Sequence, residues 1–196
     1  MMRFMWMALC VALAEPVWAS GVAPPAVVVE RSAVSLSEVP ALLEAWTGRP
    51  HQGKGVSAFP TLDIYVETEM APERLAEALY ALLDGAGHGT QTNKKGSTTI
   101  GGKGTKQLGD APVVVDKAKL DVKQIQAPPG PVIQAVSKLV DRPVLVYYGG
   151  AQTPQVLRFQ QGSWTKTQMW RQLQDVLRTH GAKVGGHENF LLVWFP

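Results

Sequence analysis

Cysteine is almost missing from this sequence: Cys10 is the single one among 196 residues. It sits in the opening segment, so the chain beyond it can form no internal disulfide and no thiolate metal site. Long hydrophobic runs are missing too. After Ala19 no stretch approaches the roughly 20 apolar residues that a membrane-spanning helix needs. Charge is nearly balanced, at +3, and no basic stripe alternates with exposed aromatics, which excludes a nucleic-acid surface. The four histidines, His51, His88, His180 and His187, fall in expected loops or at a helix end. None has the His-x-x-x-His or carboxylate spacing of a metal site. No Gly-x-Ser-x-Gly element occurs. Asp63, Glu67 and Glu69 read as the wet face of a strand. Gly101-Gly102-Lys103-Gly104-Thr105 lacks the spacing and flanking elements of a phosphate loop. With so few convergent polar groups, the expectation is no enzymatic activity, no metal and no cofactor.

What the sequence does contain begins with an export signal. Arg3 precedes an apolar core from Phe4 to Ala14, and Val17-Trp18-Ala19 is a small-x-small cleavage site. Cleavage after Ala19 predicts a mature protein in the periplasm, at most peripheral to the outer membrane. Leu9 ahead of Cys10 is too bulky for a lipoprotein box.

The mature sequence alternates strand and helix patterns. Ala26–Glu30 reads as a strand. A helix over Leu36–Thr47, capped by Ser35 or Ser37, turns Val39, Leu42, Leu43 and Trp46 to one face. After a glycine-rich loop from His51 to Ala58, Thr61–Glu67 alternates as a half-buried strand. A second helix from Pro72 carries Leu75, Leu79, Leu82 and Leu83 inward. Residues 88–101 suit a weak hairpin, and 102–118 a flexible basic linker with Lys94, Lys95, Lys103 and Lys106 near it. Leu120–Ile125 is another strand, and Pro128-Pro129-Gly130-Pro131 preorganises a helix burying Val132, Ala135, Val136 and Leu139. Val144–Tyr148 is a near-continuous apolar strand. Gln155–Gln160 alternates, and Gln161-Gly162-Ser163 is a polar break.

The clearest local signature follows. Thr165 and Gln168 make a capping box for a helix reaching Thr179, with Met169, Trp170, Leu173, Val176 and Leu177 on one stripe. Gly181 stops it, and Lys183–Trp194 reads as a hairpin turning around Gly185–Asn189. Trp46, Trp164 and Trp170 occupy core-compatible positions.

The helix patterns repeat. Aligning Arg49-Pro50 with Arg142-Pro143 superposes the first helix of each half, and aligning Gly87 with Gly181 superposes the second. Duplication of a small unit accounts for this. The expected fold class is α+β: two tandem modules, at 26–101 and 119–196, each with two helices on small mixed sheets, joined by the 102–118 linker after the signal at 1–19.

Leu36–Gly48, the Ser163-Trp164 entry to the helix ending before Gly181, and the Phe190–Trp194 strand carry a family resemblance. The arrangement resembles the short N-terminal domain of secretins and TonB-dependent signal-transducing receptors, called STN. Secretins continue into a long β-rich pore region, whereas this sequence stops at Pro196. The resemblance implies a docking or ring-forming module, with partners a secretin, another envelope-assembly protein of pilus, secretion, conjugation or phage-export systems, or further copies of itself. A ligand-binding or sensor domain is the alternative.

The candidate contact residues are Phe190, Leu191, Leu192, Val193 and Trp194. This apolar strand fits two readings: an open edge that accepts a partner strand, or a buried strand. In the second, Phe190, Leu192 and Trp194 fill the second core while the other module covers Leu191 and Val193.

Overall fold

The computed structural model describes residues 26–56, 60–94, 96–150 and 153–196. The expected signal segment and Lys95 lie outside these residues. Among the described residues the fold is α+β, with four helices and several small mixed sheets. The first half contains β1 (Val27–Ser35), α1 (Val39–Thr47), β2 (His51–Gly53), β3 (Thr61–Met70), α2 (Pro72–Gly85), β4 (His88–Thr92) and β5 (Thr98–Lys103). The second contains β6 (Lys119–Val122), β7 (Ile125–Ala127), α3 (Pro129–Val140), β8 (Val144–Tyr148), β9 (Leu157–Phe159), β10 (Gly162–Thr165), α4 (Lys166–Thr179), β11 (Lys183–His187) and β12 (Phe190–Phe195). Among the described residues no helix is long and apolar enough to cross a membrane.

Strand pairing repeats between the halves. β1 pairs antiparallel with β3, as β7 does with β9. β2 pairs parallel with β5 and β4 antiparallel with it; β8 and β11 stand in the same relation to β12. Each half thus places a helix pair between a two-stranded and a three-stranded sheet. The β6–β10 ribbon is an addition of the second half.

The halves are not separate bodies. β3 pairs antiparallel with β8, from Thr61↔Tyr148 to Tyr65↔Val144. This fuses the two-stranded sheet of one half to the three-stranded sheet of the other, giving one five-stranded sheet ordered β1-β3-β8-β12-β11. One face carries Leu62, Ile64, Leu145, Tyr147, Leu192 and Trp194 and packs with Leu43, Leu75, Leu79 and Leu82 of α1 and α2. The opposite face carries Tyr65, Val144, Val146, Leu191, Val193 and Phe195 and packs with Val132, Val136, Trp170 and Leu173 of α3 and α4. A sheet covered on both faces reads as a continuous apolar run, as β8 and β12 do.

The expected flexible linker is instead a packed connector. Gly186 N–H donates to Gly109 O at 2.9 Å, laying the connector along β11. A Cβ at Gly185 would stand 2.4 Å from Gly109 O, and one at Gly186 would stand 2.6 Å from Asp110 O. Those glycines therefore belong to the strand and admit a crossing backbone; the turn is only Glu188–Asn189. Further along, Val114 is buried, Trp170 Nε1–H donates to Pro112 O at 2.7 Å, and Asp116 N–H donates to Thr167 Oγ1 at 2.9 Å.

Helix ends divide into met and unmet expectations. Thr165 Oγ1 accepts from Gln168 N–H at 3.1 Å while Gln168 Oε1 accepts from Thr165 N–H at 2.9 Å, the capping box in both directions. Neither Ser35 nor Ser37 caps α1. Their hydroxyls bond each other at 2.6 Å, and Glu38 is the N-cap residue, its Oε2 accepting from Ser35 N–H at 2.8 Å. In α3, Ala135 and Leu139 are not core positions: Ile133 and Val140 are buried, and Leu139 is exposed. The strand expected over Leu120–Ile125 divides into β6 and β7, which pair with different partners.

Candidate functional site

Phe190–Trp194, expected as an open edge or a buried strand, is buried. β12 lies between β8 and β11, hydrogen-bonded on both sides, so no edge remains for a partner. All its residues are buried. The faces are the reverse of the expected ones. Phe190, Leu192 and Trp194 meet the first-half core, and Leu191 and Val193 meet the second-half core. Alternation reveals two faces but not what lies on either.

Asp63, read as a wet-face carboxylate, is only 7% exposed because α3 covers its side of β3. Asp63 Oδ2 accepts from Tyr65 OH and from Tyr148 OH, each at 2.8 Å. Its Oδ1 accepts from the Ala33 N–H at 2.8 Å. Ala33 reaches it from β1 through a left-handed backbone, φ 54°, where the β1–β3 register shifts. Tyr148 comes from β8, so the carboxylate bonds groups of both halves beside their shared sheet pair.

The N-terminus of α3 closes over this cluster. A Cβ at Gly130 would lie 2.8 Å from Tyr65 Oη and 3.1 Å from Asp63 Oδ2, so only glycine lets the helix approach. The positive end of the helix then faces a buried negative charge. Pro129 and Pro131 start a helix that needs few amide donors.

Beside the cluster is a recess of about 450 Å³, lined by Glu30, Asp63, Tyr65, Pro129, Gln134 and Tyr148 among others. Its rim bridges β1 and β3 to α3. Gln134 Nε2 donates to Glu30 Oε1 at 2.6 Å, and Lys138 Nζ lies 3.6 Å from Glu30 and 3.4 Å from Glu67. Burial, then the adjacent Asp63 charge, raises the pKa of Tyr65 and Tyr148 well above the usual phenol range. Both are neutral donors near neutral pH, not phenolate bases. Both lining carboxylates are engaged within the chain, Asp63 by Ala33, Tyr65 and Tyr148 and Glu30 by Gln134 and Lys138.

The histidines occupy structured positions. His51 on β2 bonds Arg49 O through Nδ1 at 2.6 Å and Tyr80 OH through Nε2. His88 on β4 bonds Tyr147 OH at 2.5 Å, and burial lowers its pKa. His180 Nδ1 lies 2.8 Å from Val176 O, at the end of α4. His187 ends β11, beside Glu188. Arg74 of α2 pairs with Glu188 at 2.6 Å and holds its carboxyl below the usual range.

Sequence reading missed the Asp63 cluster because its members come from three separate segments. The one local signal was Tyr65 two residues beyond Asp63, a same-face spacing on a strand. No protein-family model, curated protein or solved structure matches the chain.

Proposed function

We propose that this chain is a non-catalytic periplasmic docking module of a secretin-type envelope assembly, built as a tandem of STN-like units. The observation that carries the reading is the repeated strand pairing, with one sheet of each unit joined edge to edge through β3 and β8. Units that associate by sheet addition within a chain can use the same mode between chains. The outer edge of β1 has no strand neighbour among the described residues, and Val28 on β1 is 55% exposed. Register shifts in β1 make that edge irregular, which limits indiscriminate pairing. With β12 buried, β1 replaces it as the docking edge.

In-cell crosslinking followed by affinity isolation from the native envelope tests this. Capture of a secretin-like or pilus-type component, or of ordered oligomers of the chain, is the expected result. A monomer that captures no envelope component overturns it. The recess beside Asp63 favours a second reading, a periplasmic sensor domain for a small ligand. Specific binding of such a ligand, in the absence of an envelope partner, is the outcome that selects it.

A further inference from the structure

α2 of the first half and the β11–β12 turn of the second meet at Glu77, His187 and Glu188. One ligand-type atom from each residue lies within 4.8 Å of the others. Both glutamates are exposed, while His187 is partly buried. Independently of that proximity, His187 Nε2 is shut off from solvent and has no hydrogen-bond partner among the described residues. A desolvated imidazole nitrogen without a partner is costly, and a metal ion is a partner that removes the cost.

We propose that Glu77, His187 and Glu188 bind a divalent transition-metal ion, with zinc the best match, and that the ion staples α2 to the β11–β12 hairpin. One imidazole nitrogen and two carboxylate oxygens, with no thiolate, suit zinc. Calcium prefers six or more oxygens, and copper(I) prefers sulfur. Three protein ligands leave a fourth position for water. Bonds of about 2.0–2.2 Å draw the ligand atoms closer than they now stand, and Glu77 is exposed on its helix and free to close in. Arg74 competes for the same carboxylate. Its Nε and Nη2 donate to Glu188 Oε2 at 3.1 and 2.6 Å, leaving Oε1 for the ion.

Isothermal titration of the tag-free, metal-stripped protein with zinc sulfate tests the site. One ion per chain is expected. Glu77→Gln and His187→Asn should each weaken binding by roughly tenfold or more. Glu188 occupies a turn position at φ 51°, a backbone conformation suited to glycine. Glu188→Gly should therefore keep the hairpin folded while losing zinc to a similar degree. Arg74→Met, which releases the Glu188 carboxylate, should tighten binding. Circular dichroism establishes that each variant is folded. Unchanged zinc affinity in folded Glu77→Gln or Glu188→Gly, or no stoichiometric binding at millimolar zinc, overturns the proposal.

Discussion

β5 and β12 hold the same place in the two halves, each the middle strand of a three-stranded sheet with one parallel and one antiparallel neighbour. Their sequences differ sharply: Thr98-Thr99-Ile100-Gly101-Gly102-Lys103 against Phe190-Leu191-Leu192-Val193-Trp194-Phe195. On β5, Thr98 and Ile100 are buried while Thr99 and Gly101 are only partly so. On β12 every residue is buried. The pairing is common to both; what differs is the outer face. The outer face of the β12 sheet is covered by α1 and α2 of the other half, whereas that of the β5 sheet lines a polar recess with Gln52, Gln91 and Thr99. Sequence character on a strand reports how many faces are covered more than it reports topology.

The largest expected effect breaks this contrast directly. By register with their parallel neighbours, Leu192 on β12 corresponds to Thr99 on β5. Leu192→Ala should cost about 2–5 kcal/mol, while Thr99→Ala should stay within about 0.5 kcal/mol, both read from urea midpoints. Comparable losses at the two positions would remove the distinction. Next comes Asp63→Ala, which leaves the Tyr65 and Tyr148 hydroxyls without their acceptor. A loss of about 1–3 kcal/mol is expected, and a neutral result would show that the cluster does not hold the halves together.

Legibility in the sequence followed the range of the forces involved. The capping box of α4, the inward leucines of α2 and the bounds of β8 were all readable, because periodicity and caps act within a few residues. The β3–β8 junction was not, since any exposed strand edge offers the same backbone groups. Gly185, Gly186 and Gly109 looked like turn and linker residues, yet they are where two backbones cross. The Asp63 carboxylate looked solvated because its cover, Gly130, is supplied from a remote segment.

A smaller effect separates the helices. α4 carries a full capping box, while the N-cap residue of α2, Ala71, offers no side-chain cap. Thr165→Ala should cost about 1 kcal/mol, and Ala71→Asp should gain up to about 1 kcal/mol. Thermal or urea denaturation of both variants checks the pair, and equal shifts of one sign would contradict it.

The pH dependence should be smaller still at neutral conditions. Burial lowers the His88 pKa in the folded state, so the unfolded chain binds the proton more readily. That contribution to stability is present above the ordinary histidine pKa and is lost as pH falls through the folded-state value. His88→Gln should flatten the acid limb of the denaturation midpoint relative to the parent. At the alkaline end, burial pushes Tyr147 up to about 12. Tyr65, Tyr147 and Tyr148 should therefore contribute no phenolate absorbance change near pH 10 while the fold is intact. Stability from the raised Tyr147 is held below the ordinary phenol pKa and declines as pH rises toward its folded value.

Amide hydrogen exchange across β3 and β8 tests most directly whether the two halves are one folded body. Residues 61–65 and 144–148 should exchange as slowly as β12, at the rate set by global unfolding. Fast exchange at both β3 and β8, with α2 and α4 still protected, would contradict the shared sheet and return the molecule to two independent units.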